Sequence, residues 1–372
     1  MSQKNKIRQS NIELCRIVCM LLIIAHHCVV HGGGIGMNTC VNRYTALFLL
    51  PGGKFCFDAF LAISTWFLVD QTFKSERFLK TWCQVLFYSV TFAAISAYMG
   101  VSLTKRNWFS VFFPITGNSH GFAASYLAFY LLMPFLGITA SKLTKKQLQW
   151  LILLLLYFQV TSQIIGTVSQ YFQPIHSELQ LFVLCYFLAL YIKRYPLPLL
   201  FNRIFLFTTV ILMWFLVFFI WCLAAVFLPG NAWVGVLSSL CNDESSILYL
   251  IGGYAFFLLF YTLRIPTNQY INAIAHTTFG ILLIHDHNFF RYVLWNQIFH
   301  AQDWWYSRYF LIHILLCVFI IFVVGALIDH LRQKYIERFI FSLPLVSNLE
   351  KQISKSVPHT HAYLPDADEH TN

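Results

Sequence analysis

The sequence predicts an all-α, polytopic membrane protein of about ten transmembrane helices, with both termini cytoplasmic. Three observations carry that prediction. The 372 residues are 58% hydrophobic and only 11% charged, with a mean hydropathy of +0.63, which lies outside the balance of a soluble chain. The apolar runs are long and continuous, and about 20 such residues cross hydrocarbon as a helix because a helix satisfies its backbone internally. The basic residues sort to one side when the runs are laid out as alternating spans.

The first span, residues 12–30, follows Lys4, Lys6 and Arg8. It is longer than a signal-peptide core and no A-x-A-like site ends it, so it is read as a permanent span. Spans 46–69 and 78–99 are separated by Lys74 and Arg77, with Lys80 just inside the second. Spans 119–139 and 148–165 flank Lys142, Lys145 and Lys146. Span 175–192 is short and opens on His176 and Glu178; Lys193, Arg194 and Arg203 separate it from span 204–227. Spans 247–263 and 271–295 enclose Arg264, and span 306–328 is followed by Arg332, Lys334, Arg338, Lys351 and Lys355. With the N-terminus inside, these residues place 18 of the 25 lysines and arginines on the cytoplasmic side. Arg43, Lys54, Lys105, Arg106, Arg291 and Arg308 fall on the other side, and Arg16 falls within the first span. The formal charge of +10 is therefore a topology signal, and no nucleic-acid partner is expected.

Residues 1–346 read as one transmembrane domain, and the polar residues 347–372 as a disordered cytoplasmic tail. Residues 332–343, RQKYIERFIFSL, have apolar positions at helical spacing and are expected along the inner membrane surface. Of ten cysteines, Cys15, Cys19, Cys83, Cys185, Cys222 and Cys317 lie in spans and read as packing residues; Cys40 and Cys241 share the outer side. No C-x-x-C or H-E-x-x-H pattern suggests a metal site. HGGGIGMN, after the first span, lacks a P-loop lysine and a flanking strand and reads as a flexible outer loop.

Ionisable groups inside a span are costly and mark a pathway or a reaction site. Arg16 and His27 are eleven residues apart, close to three helical turns, so they share a face about 16 Å apart along the axis. Glu13, three residues before Arg16, joins that face. Arg16 also suits a plain role, snorkelling to headgroups with Glu13 as its partner. His26 points about 100° away from His27, and the spacing from Arg16 selects His27 as the candidate general base.

Five blocks resemble the acyltransferase 3 family of membrane O-acyltransferases. NIELCRIVCMLLIIAHH looks like the family's N-terminal helix, where a basic residue is followed about ten residues on by an essential histidine, here Arg16 and His27. GGKFCFDAFLAISTWFL is similar to a second-helix block, with Phe60, Ile63, Ser64 and Leu68 in register but Thr65 and Cys56 where other residues are usual. ERFLKTWCQVLFYSV matches a basic R-x-x-R-like entry, with Arg77 followed by Lys80, which lacks the bidentate phosphate geometry of arginine. ASYLAFYLLMPFL, which contains Tyr126, and TTFGILLIHDHNFFRYVLW, which contains His285, are like later family blocks.

The resemblance implies an O-acyltransferase of the bacterial cytoplasmic membrane. Cytosolic acyl-CoA, acetyl-CoA by default, is the co-substrate, and the acceptor is a hydroxyl of an extracytoplasmic glycan or lipid-linked saccharide. His27 and Glu13 are then the expected catalytic residues, Arg16, Arg77 and Lys80 the acyl-CoA grip, and Asp58, Ser64, Tyr126 and His285 the cavity lining. Ser64 is a candidate oxyanion donor; Asp58 either orients His27 or pairs with Lys54 four residues before it. No tightly bound cofactor is expected, and the partners are acyl-CoA, the acceptor and membrane lipid. The competing class is a transporter or channel whose solute or proton path is lined by the same polar residues.

Overall fold

The computed structural model describes residues 8–117, 120–168, 177–244 and 246–356. Lys4, Lys6, His176 and most of the polar tail lie outside the described residues. The described chain is helical and contains no strand. The helices are α1 (Ser10–His31), α2 (Val41–Leu68), α3 (Ser75–Tyr98), α4 (Lys105–Phe112), α5 (Gly121–Lys142), α6 (Lys145–Val168), α7 (Glu178–Arg194), α8 (Arg203–Cys222), α9 (Ala232–Ser239) and α10 (Ile247–Thr262). They continue with α11 (Gln269–Ala275), α12 (Thr278–His285), the short turn α13 (Phe290–Tyr292), α14 (Phe310–Leu331), α15 (Arg338–Ser342) and α16 (Pro344–Ser356).

Among the described residues, six helical segments are long and apolar enough to cross a membrane: α1, α2, α3, α5, Arg203–Phe227 and Phe310–Ser342. The last two run through π-helical turns, Leu223–Phe227 and Arg332–Glu337, that widen the helix without ending it. The expected surface helix at 332–343 is thus a continuation of α14, and the expected tail begins inside α16, which packs on α3.

The ninth expected span, 271–295, is not one helix. It breaks after Ala275, resumes as α12, and breaks again at Asp286 before the π-helical turn Val293–Ile298. The cause is local: HDHN places four polar side chains in a row, and His287 Nδ1 accepts the backbone N–H groups of Phe289 and Phe290 at 3.3 Å, capping a new turn. Irregular backbone within such a bundle is tolerated where it is covered by protein or lines a cavity.

α1 lies at the centre, packed on α2, α10, α11, α12 and α14. Its start is tied down by hydrogen bonds: Ser10 Oγ donates to Asn272 Oδ1 at 2.9 Å, and Asn11 Nδ2 donates to the Phe260, Tyr261 and Leu263 carbonyls that end α10. At the same end Arg194 reaches the Ala140 carbonyl and Arg203 the Thr262 carbonyl. The loops that carry most of the basic residues therefore meet at one end of the bundle. At the opposite end the glycine-rich loop is tightly built. Trp305 Nε1 donates to the Gly32 carbonyl at 3.0 Å, and Asn42 Nδ2 donates to the Trp305 and Ser307 carbonyls. Gly33 has φ +75°, and a Cβ there would lie 2.7 Å from the Trp305 ring, so glycine is required by both backbone and space.

Candidate active site

α1 and α2 run antiparallel, and this places two features on α1. At the basic end a cavity of about 1040 Å³ is lined by Arg8, Glu13 and Arg16 of the N-terminal segment, by Ser64 and Trp66 of α2, and by Arg77 of α3. Tyr126 and Lys193 also face it. Glu13 sits between two guanidinium groups, 3.7 Å from Arg8 and 3.8 Å from Arg16. Lys193 pairs with Asp70 and lies over the Trp66 ring, 4.8 Å from its centroid. Two carboxylates against several cations leave the cavity basic, a chemistry that suits phosphate groups. Tyr126 is stacked with Tyr130 and packs at a tilt on Phe182, so it contributes an aromatic wall.

The second feature is a histidine cluster near the other end of α1. His27 Nδ1 is 3.0 Å from His285 Nε2, and His285 Nδ1 is 2.6 Å from the Ile281 carbonyl. A carbonyl only accepts, so His285 carries its proton on Nδ1 and offers a lone pair at Nε2. His27 then donates from Nδ1, which leaves its own lone pair on Nε2, and among the described residues no hydrogen bond occupies that atom. Asp286 lies beside the pair, its Oδ1 3.8 Å from His27 Nδ1, 3.3 Å from His31 Nε2 and 3.9 Å from Arg291. His26 faces away, with Nδ1 2.7 Å from the Leu50 carbonyl and the ring packed on Gly53.

The structure separates several residues that the sequence groups together. Glu13 is fourteen residues from His27, about 21 Å along the helix, so it belongs to the cavity and not to the histidine. Ser64 lies at the level of Arg16, eleven residues and about 16 Å along α2 from the Gly53 turn that His26 touches, so it is no oxyanion donor for His27. Asp58 is fully buried and faces α10, its Cβ against Gly253; among the described residues its two oxygens have no hydrogen-bond partner. It neither orients His27 nor pairs with Lys54, because Lys54 is held by Glu244. Lys80 does not line the cavity: it pairs with Glu76 at 2.8 Å and lies over Phe341. Arg77 does line it, with Nη1 2.6 Å from Gln71 Oε1. Thr65 is accommodated because its hydroxyl donates to the Leu61 carbonyl at 2.8 Å within its own helix. All ten cysteines are unpaired, Cys40 and Cys241 included.

Asp286, His31 and Lys193 went unselected in the sequence. His31 was visible as i+4 from His27 on one helical face. Asp286 adjoins His285, but its side chain reaches His27 only because the helix breaks there. Lys193 read as one more positive-inside charge, and only the packing of α7 against α2 shows that it faces the cavity.

Neither a search of curated proteins nor a search of solved structures gives a match. A family model described as an acyltransferase domain matches residues 9–330, a range that contains the cavity lining apart from Arg8, both histidines of the hydrogen-bonded pair, and Asp286. With its bundle of apolar helices, this multi-pass membrane protein belongs to the acyltransferase 3 family.

Proposed function

We propose that the protein is an O-acyltransferase that moves an acyl group, acetyl by default, from cytosolic acyl-CoA to a hydroxyl of an extracytoplasmic or lipid-linked glycan at a bacterial cytoplasmic membrane. The observation that carries this reading is the oriented lone pair on His27 Nε2, on the same helix as a basic cavity at the other end. The cavity end takes the donor: Arg16 and Arg77, with Arg8 and Lys193 near them, bind nucleotide phosphates, and the thioester arm reaches His27 by moving aside Met20 and Ile23, the buried side chains between Arg16 and His27 on α1. The excess of lysine and arginine at that end supports a cytoplasmic assignment for it.

In the reaction, His27 Nε2 takes the proton of the acceptor hydroxyl as its oxygen attacks the thioester carbonyl. The tetrahedral intermediate collapses with cleavage of the C–S bond, and the proton on Nε2 passes to the departing CoA sulfur. An ester and CoA thiol result, and His27 returns to its starting state. While His27 is an imidazolium, its Nδ1–H faces His285 Nε2 and the Asp286 carboxylate, which hold the ring in position. His285 and Asp286 act through His27 and are positioning residues.

The test is acceptor-dependent release of CoA from acetyl-CoA by the purified protein, with glycan O-acetylation followed in parallel. His27→Gln is expected to lower kcat by about 10²- to 10⁴-fold, the range of a general base, with KM for acetyl-CoA little changed. Flux of a solute or proton that needs no acyl-CoA and persists in His27→Gln would replace this reading with the transport one.

A further inference from the structure

Beyond its proposed role in proton transfer, the histidine cluster has the composition and shape of a transition-metal site. We infer that His27, His31 and Asp286 bind a divalent ion of borderline softness, Zn²⁺ being the best fit, and that this ion holds the protein in an inactive state. One ligand atom from each of these residues lies within 4.8 Å of the others. The His31 Nε2 to Asp286 Oδ1 distance is 3.3 Å and the His27 Nδ1 to Asp286 Oδ1 distance is 3.8 Å. Ligand atoms bound tetrahedrally at about 2.0–2.1 Å from zinc stand roughly 3.4 Å apart, so small side-chain rotations close the shell.

Two further features point to a metal. His27 and His31 are one turn apart on α1, with ring centroids 5.0 Å apart, so the helix itself presents two imidazoles to one point. His285 Nε2, 3.0 Å from His27 Nδ1, supplies a third nitrogen lone pair, and a fourth donor, directed at His27. Its other ring nitrogen donates to the Ile281 carbonyl, the outer contact that orients a metal-binding imidazole. The set is three nitrogens and one carboxylate oxygen, which favours zinc over magnesium or calcium. Arg291, 3.9 Å from Asp286, is the competing cation; being half exposed, it can swing away when the ion enters.

The inhibitory consequence rests on the acyltransferase reading; the binding itself does not. With the ion on His27 Nδ1, the ring proton moves to Nε2, and the atom that takes the hydroxyl proton no longer has a lone pair. No proton leaves the ring, and the carboxylate of Asp286 offsets part of the ion's charge.

The experiment uses the purified full-length protein in detergent, stripped with a chelator and titrated with Zn²⁺ against a chromophoric indicator. One tight site per chain is expected, insensitive to excess Mg²⁺. His31→Ala and Asp286→Asn should each weaken it at least tenfold, with His31→Gln as a second variant and thermal unfolding as the folding control for all three. The tail histidines His359, His361 and His370 are present in every variant, so differences between variants report on the cluster. Acceptor-dependent CoA release should stop with stoichiometric zinc, recover with chelator, and lose its zinc sensitivity in His31→Ala. Absence of stoichiometric binding, or wild-type affinity in both His31→Ala and Asp286→Asn, overturns the proposal. Tight zinc binding in a protein that never releases CoA would keep the metal site and remove the acyltransferase reading; zinc-indifferent catalysis would do the reverse.

Discussion

His26 and His27 are neighbours with opposite surroundings. The backbone sends one ring into the α1–α2 interface, where the Leu50 carbonyl and Gly53 enclose it, and the other toward α12. In the sequence the spacing from Arg16 selects His27, because a helix repeats close to every eleven residues. The chemistry around His27 was not legible, since its partner His285 is 258 positions away in the chain. His26→Ala is expected to lower stability by about 1–3 kcal/mol through the lost hydrogen bond and packing, measured by thermal unfolding in detergent. Catalysis should survive it. His285→Ala should act the other way: the fold holds, but His27 loses the acceptor that keeps its proton on Nδ1. A fall in kcat of about 10- to 100-fold is expected, with KM for acetyl-CoA unchanged. An equal rise in KM would instead place His285 in donor binding.

At the scale of the elements, the broken ninth span was the hardest feature to read. The apolar run looked continuous, and a mean over its residues hides four polar side chains in succession. The break is built into its neighbours. Below it, Gly280 packs so closely on Asp329 of α14 that a Cβ would stand 2.2 Å from the carboxylate carbon. Asp329 is fully buried and accepts from Tyr88 at 2.8 Å, Gln84 at 3.1 Å, Arg332 at 2.8 Å and Gln333 at 2.6 Å, so one carboxylate ties α3 and α12 to the long C-terminal helix. Among the described residues, Asp329→Ala leaves the buried Arg332 with only Glu337 to pair with. A loss of about 3–5 kcal/mol is expected, the cost of breaking a buried pair from one side. A variant that unfolds within about 1 kcal/mol of the parent would show that the surrounding polar groups re-pair without it.

For the whole molecule, hydropathy alone made the membrane bundle legible, because it is a sum over many residues and tolerates local errors. The cavity was legible only in part. Arg16, Arg77, Ser64 and Tyr126 share it, whereas Lys80 and Asp58 do not, and no period or spacing distinguishes an ammonium that faces a cavity from one that faces Glu76. Nor does the sequence say where the cavity stops. On the stripe of α1 that joins Arg16 to His27, Met20 and Ile23 come between, only 1% and 5% exposed, and neither they nor His27 line the cavity.

That closed interval makes the protein an electrical insulator as well as a catalyst. Water reaching from the cavity to the histidines would join titratable groups toward the two ends of the bundle, and two apolar side chains stand in the way. Reconstituted in vesicles with an imposed pH difference, the wild-type chain is expected to hold the gradient. Met20→Gly with Ile23→Gly is expected to dissipate it, as reported by an entrapped pH-sensitive dye; if the double variant holds the gradient as well as its parent does, the barrier lies elsewhere.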